Sequence, residues 1–150
     1  MDTDQKVRDL MTPQPLTVGP DVPLRTAISL MQERRIRHLP VVEDGGRLVG
    51  MLTDRDLRHA AFVPALSEHL TWDARRLKSP RVRDVMTWSV VTTHPDATLV
   101  QAGLTLFQRR IGSLPVVENG CLVGILTDHD VIMALNTAQG IDTKPEELLW

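Results

Sequence analysis

The sequence has few aromatic residues and one cysteine. Aromatic residues make up 3% of its 150 residues and tyrosine is absent, so stacking platforms for single-stranded nucleic acid are not expected. The lone cysteine, Cys121, excludes an internal disulfide and a site built from several cysteine ligands. The formal net charge of −2 lacks the positive excess on which non-specific nucleic-acid binding depends, so we expect no nucleic-acid partner.

Long apolar runs and known catalytic motifs are also missing. No run approaches the roughly 20 apolar residues of a membrane-spanning helix, and the polar start does not resemble a secretory signal. These features predict a cytoplasmic protein without a membrane partner. The sequence contains no G-x-S-x-G, P-loop or G-x-G-x-x-G motif, and its five histidines show no H-x-x-x-H spacing for zinc. We therefore expect neither catalytic residues nor a metal site.

The sequence does contain an internal repeat. Three segments recur further along the chain: VRDLMT at 7–12 as VRDVMT at 82–87, RRIRHLPVVE at 34–43 as RRIGSLPVVE at 109–118, and GRLVGMLTDRDL at 46–57 as GCLVGILTDHDV at 120–131. The density of identical residues is far above the roughly one in fifteen expected by chance. The chain therefore holds two copies of one structural unit.

Each copy predicts a strand, a helix, a β-hairpin and a second helix, in that order. The signals are β-prone runs at 16–18 and 90–93, helical apolar spacing from Leu24 and Leu99, hairpin strands at 39–42 with 48–52 and at 114–117 with 122–126, and helical spacing again from Leu57 and Val131. The predicted fold class is α/β (α+β), with two β-α-β-β-α repeats related by a pseudo-two-fold axis.

The repeat and the helical spacing in the connector predict four regions. They are a first repeat at 1–66 with its core at 7–61, a connecting helix at 67–80 whose helical spacing spans 67–78, a second repeat at 81–137, and a C-terminal tail at 138–150.

The twice-repeated pattern V-R-D-h-M-T, R-R-I-x-x-L-P-V-V, G-x-L-V-G-h-L-T-D-x-D resembles a tandem pair of CBS (cystathionine β-synthase) domains, also called a Bateman module. The resemblance covers about residues 7–61 and 82–137. It implies a non-catalytic regulatory module that binds adenosine-containing ligands in the cleft between the repeats. It also implies disc-shaped homodimers and an effector protein as the regulated partner. No cofactor is required; the effector is an adenine nucleotide or another adenosyl compound, with Mg²⁺ if it is ATP.

The T-x-x-D motif at the end of each hairpin has two interpretations. Thr53 with Asp56, and Thr127 with Asp130, match a capping box that satisfies the first N–H groups of a helix. The same helix start attracts phosphate through free N–H groups and the helix dipole, and a carboxylate suits the two O–H donors of a ribose diol. The two interpretations are compatible. The resemblance favours the second, because the ribose-binding residues of the family match these positions.

The resemblance assigns further ligand contacts by position. Backbone groups of the first strand contact adenine, and the strand before the hairpin turn lines the base pocket, although simple strand packing explains the prolines equally well. Phosphate contacts fall on polar residues beside the helix start. The positions are Thr17, Val18, Thr92 and Thr93 for adenine, Pro40 and Pro115 for the base pocket, and Arg37, His38, Arg55, Ser113 and His129 near phosphate.

The first copy is richer in phosphate ligands, because two arginines stand where the second copy has Gly112 and His129. The chemistry suits AMP, ADP, ATP, NAD, S-adenosylmethionine or a cyclic dinucleotide. The alternative function is a ligand-free scaffold whose surface only drives oligomerisation, with the arginines as ordinary exposed residues.

Overall fold

A computed structural model describes residues 4–62 and 80–140. The predicted connecting helix at 67–78, and the tail beyond residue 140, lie outside them. The elements are α1 (Val7–Leu10), β1 (Thr12–Pro13), α2 (Leu24–Arg34), β2 (His38–Val42), a 3₁₀ turn (Asp44–Gly46), β3 (Leu48–Thr53), α3 (Asp54–Phe62), α4 (Val82–Val85), α5 (Leu99–Arg109), β4 (Ser113–Glu118), β5 (Cys121–Thr127) and α6 (Asp128–Ala138). The predicted α/β class is confirmed.

Helices α2 and α5 form where the apolar spacing predicts them. In α5, Leu99, Ala102 and Leu106 are buried, because residues three and four apart share one face of a helix. The Thr98 hydroxyl accepts a hydrogen bond from the Gln101 N–H and caps the first turn. The buried face of α5 therefore packs on the hydrophobic core, and the cap sets where the helix begins.

The two hairpins also form as predicted. Strands β2 and β3 pair in antiparallel register, with His38 opposite Thr53 and Leu39 opposite Leu52. In the second hairpin, Asn119 and Gly120 have φ angles of 53° and 79°. Positive φ at both central residues is typical of a type I′ turn, whose twist matches the flanking strands. The hairpins carry each chain segment directly into a following helix.

The β-prone run predicted at 16–18 is wrong as a strand: it forms one parallel bridge, between Val18 and Val41. Val18 donates its N–H to the Pro40 carbonyl (3.1 Å) and accepts the Val42 N–H (2.9 Å). Extending this ladder in one direction needs an N–H from Pro40, and in the other an N–H from Pro20. Proline has none, so the pairing stops after one residue on both sides.

The run predicted at 90–93 is shortened for the same reason. Thr93 bridges Val116, donating to the Pro115 carbonyl and accepting the Val117 N–H. Pro115 and Pro95 take the places that Pro40 and Pro20 hold in the first copy. Each copy therefore keeps a single bridged residue beside its hairpin.

The chain forms two compact units, and each unit is built from separate segments of the sequence. The described residues of one unit are 4–14, 91–118 and 123–140, and those of the other are 15–62, 80–90 and 119–122. We call the first unit 1 and the second unit 2, and we call 4–14 and 80–90 the arms. Each unit thus combines the hairpin and helices of one copy with the arm that opens the other copy. The predicted boundaries at 66, 80 and 137, in contrast, divide the chain by sequence.

The arm at 80–90 is held in unit 2 by burial, backbone pairing and charge. Val82 is fully buried in the core of unit 2. Thr87 and Met51 exchange two backbone hydrogen bonds of 3.0 and 2.9 Å. Arg83 forms an ion pair of 2.7 Å with Asp21. The arm is therefore an integral part of unit 2.

The arm at 4–14 is held in unit 1 by matching contacts. Val7 is fully buried, β1 pairs with β5, and Arg8 Nε donates to Asp96 Oδ1 at 3.0 Å. The hydrogen bond from Arg8 is the main cause that lowers the pKa of Asp96, and the same bond raises the pKa of Arg8. Each copy therefore holds the arm of the other copy with the same kind of arginine–aspartate ion pair.

Candidate ligand-binding site

The junction between β3 and α3 holds the first Thr–Asp pair. Asp56 Oδ2 accepts the Thr53 backbone N–H at 2.9 Å and the Thr53 hydroxyl at 3.0 Å. The Asp56 N–H donates to Thr53 Oγ1 at 3.1 Å. This is the reciprocal arrangement of a capping box, so the first interpretation of the motif describes the local structure. Both side chains are half-buried.

The second copy repeats the junction between β5 and α6. Asp130 Oδ2 accepts the Thr127 N–H at 2.8 Å, and the Asp130 N–H donates to Thr127 Oγ1 at 3.3 Å. Each unit therefore presents one half-buried carboxylate at the same point of the fold. The capping function does not use up either carboxylate, because each oxygen offers about two lone pairs.

Thr87 is a neighbour of Asp56 that the sequence reasoning did not single out. Its hydroxyl donates to Asp56 Oδ1 at 3.0 Å, reaching the site from the arm at 80–90. The repeated V-R-D-h-M-T motif ends in this threonine and, in the first copy, in Thr12. The repetition of this threonine in both copies was therefore a signal in the sequence, but the contact with Asp56 joins segments that are far apart in the chain.

The first-turn N–H groups are largely occupied by the protein, contrary to the expectation that they are free for phosphate. In unit 2, the Asp54 N–H donates to the Arg37 carbonyl at 3.0 Å. In unit 1, Asp128 donates to the Gly112 carbonyl and His129 to Asp128 Oδ1. Phosphate recognition at these junctions would therefore depend on the helix dipole and on side chains.

Unit 2 brings its predicted residues together on neighbouring segments. Val18 lies beside Pro40 through the bridge, His38 lies opposite Thr53, and the Arg37 carbonyl contacts the first turn of α3. Val18 and Pro40 are buried, which supports strand packing for Pro40. The exposed side chains on these segments are the arginines Arg37 and Arg55, and the half-buried ones are Thr17, His38, Thr53 and Asp56.

The bridge also decides which backbone groups can contact a base. Val18 uses both its N–H and its carbonyl within the sheet. Consecutive residues of extended backbone direct their backbone groups to opposite sides, so we expect Thr17 to direct its own groups away from the hairpin. Thr93 is likewise occupied by the bridge, which leaves Thr92 in the equivalent position. In each predicted pair, the backbone groups of the second residue, Val18 or Thr93, are used by the bridge, so the first residue is the better candidate for a contact with the base.

Unit 1 places its predicted residues in the same pattern with less charge. Thr93 bridges β4 beside Pro115, and Thr127 and Asp130 begin α6. Ser113 and Pro115 are buried, Thr92 and His129 are exposed, and Gly112 and His129 take the positions that Arg37 and Arg55 hold in unit 2. The site in unit 1 is therefore the more neutral of the two.

The described parts of the chain, 4–62 and 80–140, hold no group of three or more metal-binding side chains. Over the same residues, no helix is long and apolar enough to cross a membrane.

Comparison with protein families matches the CBS domain model at residues 7–62 and again at 82–137. The chain belongs to the CBS domain family. The protein YhcV of Bacillus subtilis, described as CBS domain-containing, is 36% identical over 125 residues, which are 83% of this chain and 81% of YhcV. Among curated relatives that are enzymes, this chain covers only 21% to 26% of the full length, so there the CBS pair is a minor part of a larger protein.

Two solved CBS pairs are similar over nearly their whole length. CBSX2 of Arabidopsis thaliana, solved in complex with AMP, is 31% identical with a TM-score of 0.76, covering 90% of this chain and 98% of CBSX2. The CBS pair of protein MJ0100 was solved with 5′-methylthioadenosine and S-adenosyl-L-methionine. It is 25% identical with a TM-score of 0.74, covering 89% of this chain and 98% of that chain. All three ligands contain adenosine.

Proposed function

We propose that this protein is a regulatory module that binds an adenosine-containing ligand and transmits its occupancy to a partner protein in the cytoplasm. The observation that carries the proposal is the carboxylate at each strand-to-helix junction, Asp56 and Asp130, half-buried beside a bridged segment. A ribose diol offers two O–H donors, and a carboxylate only accepts. The ligands of CBSX2 and MJ0100 share this ribose, which supports the proposal.

The adenine base would be read by backbone groups and the phosphates by arginine. Thr17 and Thr92 are the candidates for the base edge, because the bridges already use the backbone groups of Val18 and Thr93. Arg37 and Arg55 are exposed beside the Asp56 junction, and the guanidinium fork suits phosphate oxygens. We therefore assign the more phosphorylated ligand to unit 2, with Mg²⁺ on its phosphates if it is ATP. His38, Ser113 and His129 complete the polar set.

Binding should be tested with AMP, ATP, adenosine, 5′-methylthioadenosine and S-adenosylmethionine, by thermal shift and then calorimetry. Asp56→Asn and Asp130→Asn keep a capping acceptor but put an NH₂ group where the diol needs a second acceptor. Each should weaken binding at its own site by roughly 1–3 kcal/mol, which is about tenfold to a hundredfold in dissociation constant. Asp54→Asn, two residues before Asp56 in the first turn of α3, is the matched control and should bind as the parent does.

The alternative, a ligand-free scaffold, is favoured by one observation: the capping boxes alone give Thr53, Asp56, Thr127 and Asp130 a structural purpose. It would be supported if none of the ligands raised the melting temperature. It would also be supported if the double variant of both aspartates melted normally and bound every ligand as tightly as the parent.

A homodimer completes the proposal, and an apolar face on unit 1 supports it. Val100, Leu104 and Phe107 form an exposed stripe on α5, with Phe107 82% exposed. Ile132 is exposed on α6, which packs against α5. The equivalent positions in unit 2 are all polar: Arg25, Ser29, Gln32 and Arg58.

This difference supports a second copy of the chain as the occupant of the face. Burying the stripe against the polar face of unit 2 in another molecule would leave arginines without water or partners. The same stripe on a second copy is an apolar complement, which is the self-pairing that two-fold symmetry provides. We therefore propose that unit 1 pairs with unit 1 of a second copy. Such a dimer gives ligand binding a structure through which to act on an effector protein.

A further inference from the structure

The carboxylate of Asp56 has little hydrogen-bonding capacity left. A carboxylate offers about four lone-pair sites, two on each oxygen. Oδ2 accepts two hydrogen bonds from Thr53, and Oδ1 accepts one from the Thr87 hydroxyl. About one acceptor position therefore remains, on Oδ1, whereas a ribose diol brings two O–H donors.

Asp130 differs from Asp56 in this respect. Among the described residues, its carboxylate accepts one hydrogen bond, from the Thr127 N–H. The counterpart of Thr87 is Thr12, which is exposed in β1 and makes no hydrogen bond to Asp130 within that part of the chain. Both diol hydroxyls can therefore bind Asp130 without breaking a contact made by the described residues.

We infer that Thr87 competes with the ribose diol for Asp56 and lowers the affinity of the first copy for adenosine-containing ligands. The inference rests on the proposed function, since it names what regulates that same site. When the diol binds through both hydroxyls, the Thr87 hydroxyl gives up its place on Oδ1. The site with more side chains suited to phosphate is thus also the site whose ribose-binding carboxylate is already partly occupied by the protein.

The exchange needs only a side-chain rotation. Thr87 is exposed, and its position in unit 2 is held by two backbone hydrogen bonds to Met51 and by buried Met86. Turning about χ1 moves the hydroxyl from one staggered position to another and leaves those backbone bonds intact. The hydroxyl therefore acts as a displaceable substitute for one ribose hydroxyl.

The test measures AMP binding by calorimetry with Asp130→Asn present throughout, which weakens the second site so that its binding can be separated from that of the first copy. Thr87→Val removes the hydroxyl and keeps the shape of the side chain. It should tighten AMP binding about threefold to tenfold, the range expected when one solvent-exposed hydrogen bond of ordinary strength no longer has to be exchanged. Thr87→Ser keeps the hydroxyl and should bind as the parent does. Thr87→Ala replaces the valine variant if that protein does not melt cooperatively.

Two controls isolate the ribose contact. Thr12→Val in an Asp56→Asn background should leave AMP affinity at the second copy unchanged. The gain from Thr87→Val should vanish for 2′,3′-dideoxy-AMP, which has no diol. Weaker AMP binding by Thr87→Val would overturn the inference, because Thr87 would then orient Asp56 for the ligand. Unchanged binding would also overturn it.

The failure of the inference differs from the failure of the proposed function. If AMP binds and the double aspartate variant abolishes binding, but Thr87→Val changes nothing, the proposed function stands and the inference is wrong. If the parent binds none of the adenosine compounds, the proposed function is wrong and the inference falls with it.

Discussion

Adding one methyl group at Gly50 should loosen the arm of unit 2. Gly50 lies in β3, directly beneath the arm at 80–90. An ideal Cβ at this position would lie 2.5 Å from Met86 Sδ and 3.0 Å from the Thr87 carbonyl oxygen. Real Cβ atoms essentially never approach other atoms to less than 3.0 Å. The methionine side chain can turn aside, but the carbonyl belongs to the backbone that pairs with Met51. Gly50→Ala therefore forces the arm away from the strand.

The expected cost is that of overpacking a well-packed core, about 1–3 kcal/mol. The upper part of this range applies, because Met86 is buried and has little free space. Urea unfolding followed by circular dichroism gives the free energy directly, and an unchanged m-value shows that the native and denatured states keep their compactness. Gly124→Ala should cost a similar amount in unit 1, where a Cβ would lie 2.5 Å from Met11 Sδ and 3.1 Å from the Thr12 carbonyl oxygen.

Gly19→Ala is the matched control. A Cβ there would meet its nearest neighbour, Val22 Cγ2, at an ordinary 3.8 Å, and reducing the entropy of the unfolded chain favours the alanine. We expect Gly19→Ala to be neutral or mildly stabilising. If Gly50→Ala and Gly124→Ala unfolded at the same urea concentration as this control, the close approach of the arms to the strands would be refuted.

Two further predictions concern the surface. Replacing Leu104 by Ser and Phe107 by Gln gives these two positions of α5 the residues of α2. The dimer should dissociate at least a hundredfold more readily, because each of the two apolar side chains contributes about 1.5–3 kcal/mol when buried. Light scattering should show this loss for the double variant and no change for Gln32→Ala. An undiminished dimer in the double variant would exclude this face. The lowered pKa of Asp96 means that its ion pair with Arg8 stabilises unit 1 above the ordinary aspartate pKa, and that this contribution is lost as pH falls through the lowered folded pKa. Urea unfolding from pH 6 to pH 2.5 should show a shallower acid loss for Asp96→Asn than for the parent; equal slopes would contradict the assignment.

Local patterns in the sequence predicted the elements that depend on neighbours in the chain. The spacing from Leu24 and Leu99 predicted helices α2 and α5, and Asn119 with Gly120 marked the turn of the second hairpin. The strand at 16–18 was predicted from residue type alone. Its partner strand contains Pro40, and a missing N–H there limits the pairing to one residue.

The contacts of Asp56 show which part of the site required the structure. The hydrogen bonds with Thr53 join residues three positions apart and follow from the capping-box pattern. The hydrogen bond from Thr87 joins residues 31 positions apart, and it depends on the arm of one copy packing on the hairpin of the other. No periodicity encodes that exchange, although the repeated motif marked both arms as important.

The exchange of arms has a consequence for synthesis on the ribosome. The hairpin of unit 2 emerges early, but Val82 and Met86, which fill its core, are translated only after the whole connector. Val7, in turn, belongs to a core whose other members begin at Ala102, so the first helix of the nascent chain waits for nearly the entire protein. Completion of the unit 1 core is therefore delayed towards the end of translation, whereas the unit 2 core can be completed once Met86 has emerged. A chain truncated between the copies lacks the arm of unit 2 and nearly all of the unit 1 core.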